Sequence, residues 1–175
     1  MLIALLIVAF LVYLCHKSES SDNEKKIEVT TGTKLLLVSS LIVLVVQVVL
    51  GTKVREAIDR IAASVADRSL WIENLGMEFL VHRSFSLVVL IINVILVIKL
   101  WKTSYDKALS RILITLILGT LLTGAGMGYF SVLAVLQPIH LLLATVTFGI
   151  QLYMIFDLIN RSISVNSEIA IADID

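Results

Sequence analysis

Four apolar runs of membrane-spanning length constrain this chain more than any other feature. They cover residues 34–51, 82–101, 109–128 and 137–158. Roughly 20 apolar residues are needed to cross a bilayer as a helix, and every backbone polar group inside lipid must be satisfied within the structure. The sequence therefore predicts an all-α integral membrane protein with an antiparallel four-helix transmembrane bundle over residues 34–158.

The composition agrees with a membrane protein. Hydrophobic residues make up 58% of the 175 residues and charged residues only 16%, whereas soluble domains carry about 25% charged residues. The formal net charge is zero, so nothing suggests the basic face that nucleic-acid binding requires. We expect the lipid bilayer, and no nucleic acid, among the partners of this chain.

The basic residues of the short loops determine the predicted orientation. Lysine and arginine collect in segment 16–34 and in loop 99–111, and the positive-inside rule places such loops in the cytoplasm. The turn at 129–136 carries no charge and is expected outside. The sequence thus predicts a multi-pass protein of the inner (plasma) membrane, with a polar cytoplasmic linker at 16–33 and a cytoplasmic tail at 159–175.

A shorter apolar segment precedes the bundle. Residues 1–15 are few for a full span, and they lack the basic n-region and the cleavage site of a secretory signal. They are predicted to form a short N-terminal helix. Its Cys15 is the only cysteine in the chain, which excludes an intrachain disulfide. The apolar neighbours of Cys15 favour a buried, inert thiol.

The loop between the first two spans of the bundle carries a helical pattern of its own. Val54, Ile58, Ile61 and Val65 recur at helical spacing, opposite a charged side. This pattern is typical of an amphipathic helix that lies along the membrane surface, although a solvated loop helix has the same pattern. Because the loop mixes both signs of charge, it has little influence on orientation.

Two of the three histidines open apolar spans at matching depth. His82 and His140 lie near the starts of their spans, and the single span between them makes those two helices parallel. Both imidazoles are therefore expected near the outer face, whereas His16 lies about 30 Å away at the cytoplasmic end. An ionisable residue within a span usually marks a functional site, but a lone histidine at a helix mouth is often only interfacial.

Each of these two histidines heads a stripe of small and polar residues, with the same spacing in both spans. The stripes are His82, Ser86 and Asn93 in one span and His140, Ala144 and Gln151 in the other. This spacing keeps the three side chains of each stripe on one helical face. Another span carries Ser40, Gln47 and Gly51 on one face. The matched stripes are predicted to face inward, although small and polar residues line most membrane bundles.

Two imidazoles at equal depth on parallel helices are the ligand set of a six-coordinate haem, and bundle cores commonly hold such cofactors. The glycines of span 109–128 would let a flat macrocycle approach. Arg55 and Arg83 are predicted at the same end, where a forked guanidinium suits a haem propionate. Zinc or copper is the weaker alternative, because two imidazoles underfill either metal and Glu78 is expected at the water boundary.

Three short segments resemble the haem A synthase family. QVVLGTKVREAID at 47–59 is similar to the end of one of its inner-bundle helices, and HRSF at 82–85 and QPIHLLLATVTFG at 137–149 resemble its two haem-ligand helix starts. The residues that match the glutamine, Leu-Gly and Val-Arg pattern are Gln47, Leu50, Gly51, Val54 and Arg55. The family consists of two similar four-helix halves, and the resemblance covers one of them, residues 34–158.

The resemblance implies an activity in haem biosynthesis. Haem A synthase is an oxidoreductase that oxidises the C8 methyl of haem O to a formyl group, giving the haem A of terminal oxidases. This chain is more similar to the half that holds haem B, which implies His82 and His140 as axial ligands of its iron. The substrate half carries a glutamate three residues before its His-Arg pair. Glu78 lies four residues before that pair, so it departs from the pattern and is a candidate catalytic residue only.

The resemblance also implies partners. Haem O is the expected substrate, and an unidentified electron donor is required. The helix at 1–15 is expected to be the remnant of a preceding half, in a fragment, a split subunit or a small stand-alone form. A second four-helix half or a second copy of the chain is expected to complete the enzyme.

Two other functions are compatible with the residues. A transmembrane b-type cytochrome that only transfers electrons would share the bis-histidine haem, but such proteins usually stack haems near both membrane faces, which needs four intramembrane histidines. A structural or assembly protein without redox chemistry would use the histidines only to satisfy polar neighbours. Bound haem after gentle purification distinguishes the last of these from the others.

Overall fold

A computed structural model describes residues 2–19, 29–103 and 105–172 of the chain. Within these ranges the chain is helical, apart from its turns and loops. The helices are α1 (Leu2–Glu19), α2 (Thr31–Ala62), α3 (Met77–Trp101), α4 (Lys107–Tyr129) and α5 (Leu136–Ala172). The helices α2 to α5 each contain a stretch long and apolar enough to cross a membrane. The predicted all-α membrane fold is confirmed.

Side chains in the loops determine where two of the long helices begin. Thr30 Oγ1 accepts a hydrogen bond from the backbone N of Thr33 at 3.3 Å and caps α2. Asp106 Oδ1 accepts from the backbone N of Ala108 at 2.7 Å and caps α4. Such caps satisfy backbone donors that have no partner in the first turn of a helix. Both caps lie at the same end of the bundle.

The helices α2 to α5 pack as an antiparallel bundle in which each helix lies beside two others. α2 contacts α3 and α5, and α4 also contacts α3 and α5, so α3 and α5 occupy opposite corners. The core between them contains large side chains that are at most 1% exposed, namely Leu37, Leu96, Leu100, Leu113 and Met154. The two helices that carry the paired histidines therefore face each other across the bundle.

The helix α1 lies against α5, outside the bundle. Val8 and Val12 lie against Gly149, and His16 is buried, with its ring packed against aromatic side chains of α5. The predicted burial of Cys15 is wrong, because this residue is exposed. One side of α1 packs on α5, and the side chain of Cys15 points away from it.

The amphipathic segment after residue 51 is the end of α2 rather than a separate helix. α2 runs unbroken to Ala62, so the predicted separate helix along the membrane surface is wrong. Val54 and Ile58 pack with Val132 and with apolar side chains of the loop 63–76. The apolar stripe is thus covered by the protein itself. We call this contact, between the end of α2, the loop 63–76 and the turn that contains Val132, the outer cap, because it lies outside the core of the four-helix bundle.

The last helix is longer than the sequence predicted. Its candidate span, Leu136–Ile159, agrees with the predicted end at residue 158, but α5 continues to Ala172 where a tail was expected. No glycine or proline interrupts residues 159–172, which is compatible with a continued helix. Residues 20–28 of the predicted linker and the last three residues of the predicted tail lie outside the described ranges.

A cluster of buried polar side chains lies at the end of the bundle where α2 and α4 begin. Tyr105, in the turn between α3 and α4, is 2% exposed, and Asp157 on α5 is 1% exposed. Arg161 Nε donates to Asp157 Oδ1 at 2.8 Å, and this pairing offsets the cost of burying the carboxylate. Burial, together with the nearby Asp157 carboxylate, raises the pKa of the Tyr105 hydroxyl above its ordinary value. The phenol therefore stays protonated and neutral in the core.

Candidate functional site

The two histidines singled out in the sequence lie at one end of the bundle. His82 is in the second turn of α3 and His140 is in the second turn of α5. Both side chains are half-buried. Because α3 and α5 occupy opposite corners and run parallel, the imidazoles are placed at a matching level on either side of the core. We call this the histidine end.

The imidazole of His140 is held by the facing helix α4. Its Nδ1 lies 2.9 Å from the backbone O of Thr120 and 3.0 Å from Thr123 Oγ1. A carbonyl oxygen can only accept a hydrogen bond, so Nδ1 carries the proton and donates it. In the neutral ring the lone pair then lies on Nε2, which is the arrangement that metal-bound histidines commonly show.

The imidazole of His82 is held differently, by a side chain of α2. Gln47 Nε2 donates to the backbone O of His82 at 3.1 Å and lies 3.5 Å from His82 Nε2. His82 Nδ1 and Gln47 Oε1 are both buried, and neither has a hydrogen-bond partner among the described residues. A buried polar atom without a partner costs about 1–3 kcal/mol. Each of these two atoms therefore keeps a hydrogen-bonding capacity that no described residue satisfies.

Each imidazole rests on a glycine of its neighbouring helix. A Cβ atom added at Gly51 of α2 would lie 3.2 Å from His82 Cε1, and one added at Gly124 of α4 would lie 3.1 Å from His140 Cε1. Both distances are shorter than ordinary contacts between carbon atoms, which are about 3.5–4.0 Å. The two glycines thus let the rings pack directly against helix backbone.

The deeper parts of the two polar stripes meet in the core. Asn93 and Gln151 are fully buried, and Gln151 Nε2 donates to Asn93 Oδ1 at 2.8 Å. Asn93 Nδ2 donates to the backbone O of Val89 at 2.8 Å. The prediction that the stripes face inward is confirmed at this depth. The carboxamide pair joins α3 to α5 across the bundle, below the level of the histidines.

The two predicted propionate partners lie at the histidine end, and both are exposed. Arg83 follows His82 directly on α3. Arg55 of α2 forms an ion pair with Asp59, at 3.0 Å between Nη2 and Oδ1, and also donates to the side-chain oxygen of Gln137. Gln137 is one turn before the histidine of α5, so Arg55 connects α2 to the start of that helix.

The structure pairs Glu78 with an arginine of the outer cap. Glu78 Oε1 lies 3.7 Å from Arg60 Nη2, a contact between the start of α3 and the end of α2. Among the residues that the structure describes, no three His, Cys, Asp or Glu side chains come close enough to share a metal ion. Glu78 therefore does not complete a three-ligand metal site with the histidines.

Sequence reasoning missed Thr120 and Thr123 as partners of His140. A signal was present, because Thr120 precedes Gly124 by the same four residues that separate Gln47 from Gly51. The role of Thr120 depends on its backbone oxygen, however, and every residue has one. Only the packing of α4 against α5 shows which carbonyl the imidazole meets.

An antiparallel bundle of apolar helices, with two histidines at matching depth on its inward faces, defines a multi-pass helical membrane protein. The chain belongs to the COX15-CtaA family of cytochrome oxidase assembly proteins, whose family model matches residues 1–152. The match includes α1 and both helix starts that carry His82 and His140. Searches of the curated proteins and of the solved structures returned no match. The predicted membership in the haem A synthase family is confirmed.

Proposed function

We propose that this chain is the haem-binding half of a haem A synthase. In this reading it is a membrane oxidoreductase unit that takes part in oxidising the C8 methyl of haem O to the formyl group of haem A. One haem B is held in the bundle by His82 and His140. The family of cytochrome oxidase assembly proteins to which the chain belongs supports this role.

The observation that carries the proposal is the matched placement of the two imidazoles. Each lies in the second turn of a diagonal helix, and each rests on a glycine of the neighbouring helix, Gly51 or Gly124. The proton on His140 Nδ1 leaves Nε2 as a ligand, and the lone pair of His82 is likewise on Nε2, because that nitrogen faces the donor amide of Gln47 at 3.5 Å. These features fit a group that binds between two neutral imidazoles.

The residues around the imidazoles have separate roles in this proposal. His82 and His140 hold the iron, and the bound haem supplies one-electron redox chemistry. Arg83 and Arg55 bind the propionates at the histidine end, where the forked guanidinium matches a carboxylate. For Arg55 this requires exchange of its present partner Asp59 for the propionate.

The proposal also includes location and partners. Positive-inside orientation puts the histidine end at the outer face of the inner (plasma) membrane. Haem O is the substrate, an electron donor supplies the redox equivalents, and a second four-helix half or a second copy completes the enzyme. No catalytic residue is assigned, because Glu78 is paired with Arg60.

The first test is a reduced-minus-oxidised visible spectrum of the detergent-purified chain. Wild type is compared with His82→Ala and His140→Ala, and His16→Ala is the control, because His16 is buried against α5 outside the bundle. We expect a low-spin b-type spectrum in wild type and in His16→Ala, and its loss in the other two variants. Wild type without haem, even when haem is supplied during expression, would contradict the proposal.

A second test separates haem A synthesis from electron transfer alone. Haem O, a reductant and a candidate partner half are added to the haem-loaded chain, and extracted haems are separated by chromatography. We expect haem A to form only when the partner half is present and both histidines are intact. A chain that binds haem and is reduced and reoxidised, but yields no haem A under any of these conditions, is a b-type cytochrome instead.

A further inference from the structure

We infer that His82 and His140 are unequal ligands: His82 is the one that leaves the iron, and the Gln47 amide receives it. The inference rests on the proposed function, because it assumes a haem between these two imidazoles. It goes further in assigning a different role to each ligand and a positioning role to Gln47.

His140 is held by a hydrogen bond whose acceptor is a backbone oxygen, which cannot rotate away as a side-chain acceptor can. Its Nδ1 donates to the backbone O of Thr120 at 2.9 Å, and Thr123 Oγ1 lies 3.0 Å from the same nitrogen. The carbonyl belongs to the middle of α4, where the helix backbone holds it in place. A hydrogen bond of this kind orients a metal-bound histidine and makes it a stronger ligand.

His82 lacks such a bond. Its Nδ1 is buried, and it has no hydrogen-bond partner among the described residues. No described residue therefore accepts a hydrogen bond from this Nδ1 and strengthens Nε2 as a ligand in the way that Thr120 strengthens the other imidazole. On this ground alone His82 is the weaker of the two ligands.

Gln47 provides an alternative partner for the departing nitrogen. Its amide N donates one hydrogen to the backbone O of His82 at 3.1 Å, which anchors the amide beside the ring. An amide nitrogen has a second hydrogen, and the same atom lies 3.5 Å from His82 Nε2. Gln47 and the iron thus compete for one lone pair.

The proposed step is a ligand exchange. His82 Nε2 would hold the iron, and on release its lone pair would accept the second hydrogen of the Gln47 amide. No electron or proton is transferred. His140 would keep the haem in the bundle, and the position that His82 leaves, on the α3 side, would be free for another ligand. A small exogenous ligand such as carbon monoxide reports that position.

The first experiment compares the two histidine variants of the full chain after reduction with dithionite. We expect His82→Ala to keep most of its haem in a high-spin form. This variant should bind carbon monoxide at least about ten-fold faster than wild type. His140→Ala is expected to lose most of its haem. Added imidazole should return His82→Ala to the low-spin spectrum, which also shows that the variant is folded.

The second experiment uses variants that keep both histidines. Gln47→Leu removes the receiving amide, so we expect the low-spin spectrum to persist while carbon monoxide binds about ten-fold more slowly, in the range of effects seen for outer-shell partners. Gln47→Met serves if the leucine variant does not fold. Thr145→Val is the control, because its hydroxyl donates to the backbone O of Leu141 within α5 and contacts neither imidazole, and carbon monoxide binding should equal that of wild type.

The outcomes separate this inference from the proposed function. If the wild-type chain binds no haem, both the proposed function and this inference are wrong. Low-spin haem in wild type, combined with equal haem retention in the two histidine variants, leaves the proposed function standing and overturns the inference. The inference is also overturned if His140→Ala is the variant that keeps its haem, or if Gln47→Leu binds carbon monoxide as fast as wild type.

Discussion

The bundle consists of two helical hairpins, α2–α3 and α4–α5. They share one pattern of residues but hold their histidine side chains differently. In both, the first helix carries a polar residue and then a glycine four residues later, and the second carries a histidine and then a carboxamide. Buried positions on the first helices also correspond in spacing. They are Leu37, Ser40 and Leu44 in α2, and Ser110, Leu113 and Ile117 in α4. The repeated pattern explains why both histidines reach the same level.

The hairpins differ in what holds the imidazole. In α4, the hydroxyl of Thr120 bonds back to the O of Leu116 at 2.8 Å, and the His140 ring reaches the helix backbone. In α2, the longer side chain of Gln47 lies beside the His82 ring and bonds to the backbone of α3 instead. The short side chain of Thr120 thus lets the His140 ring bond to the helix backbone, whereas the long side chain of Gln47 is itself the partner of the His82 ring.

The hairpins also differ in their connections. The first has the long loop 63–76, which packs on the end of α2 in the outer cap. The second has a short turn in which Ser131 and Val132 have φ values of 50° and 55°. Positive φ is uncommon in residues other than glycine, and especially in β-branched ones. The second hairpin therefore carries backbone strain where the first has a relaxed connection.

The largest expected effect comes from adding a methyl group beneath each ring. Gly124→Ala places a Cβ 3.1 Å from His140 Cε1, and this ring cannot shift without losing its bond to Thr120. We expect a loss of about 1–3 kcal/mol in the free energy of unfolding, as for other overpacked cores, and of most bound haem. Thermal unfolding in detergent and the haem-to-protein ratio measure both.

Two further substitutions complete that test. In Gly51→Ala the added Cβ lies against the His82 ring, which can shift. The losses of stability and of haem should therefore be clearly smaller than in Gly124→Ala. Gly119→Ala is the control, because its Cβ would lie 3.4 Å from Leu143, an ordinary contact. Equal effects at Gly51 and Gly124 would show that the two imidazoles are held alike.

A smaller effect is expected where the hairpins meet in the core. Asn93→Leu or Gln151→Leu leaves the remaining carboxamide buried without its partner, at a cost of about 1–2 kcal/mol. The double variant should cost less than the sum of the two single ones, because no orphaned carboxamide remains. Unfolding in detergent measures this coupling, and Thr145→Val on the exposed side of α5 is the control. Strict additivity would mean that the pair does not join the hairpins.

Relief of the strained turn should have a stabilising effect. Ser131→Gly allows φ near 50° without a steric penalty, so we expect a gain of about 0.5–1 kcal/mol in the free energy of unfolding. Ser64→Gly, in the connection of the first hairpin, is the comparison and should be neutral or slightly destabilising. If both variants lose stability, the second connection is not strained.

The smallest effect is expected in the outer cap. Asp59→Asn removes the exposed ion pair with Arg55, so the stability loss should stay below about 1 kcal/mol and shrink as salt is added. Val54→Ala, at a buried position of the same cap, should cost more because apolar burial is lost. Unfolding at low and high salt distinguishes the two. A larger loss in Asp59→Asn would mean that charge holds the cap.

Much of the fold could be predicted from local patterns. The four spans followed from their length and hydropathy, and the level of His82 and His140 followed from counting residues along parallel helices. The inward direction of Asn93 and Gln151 followed from helical periodicity. Each of these conclusions depends only on the rise and the turn of a helix, which the sequence determines residue by residue.

Other features depended on contacts between distant parts of the chain. The helix α2 continues unbroken to Ala62 because the loop 63–76 and Val132 cover its apolar stripe, and a stripe alone does not show whether lipid or protein will cover it. Cys15 is exposed because α1 packs on one side only. The candidate site shows the same division. Its histidines could be read from the sequence, but the carbonyl that holds one ring and the amide beside the other were decided by helix packing, because hydrogen bonds depend on distances that only the tertiary structure defines.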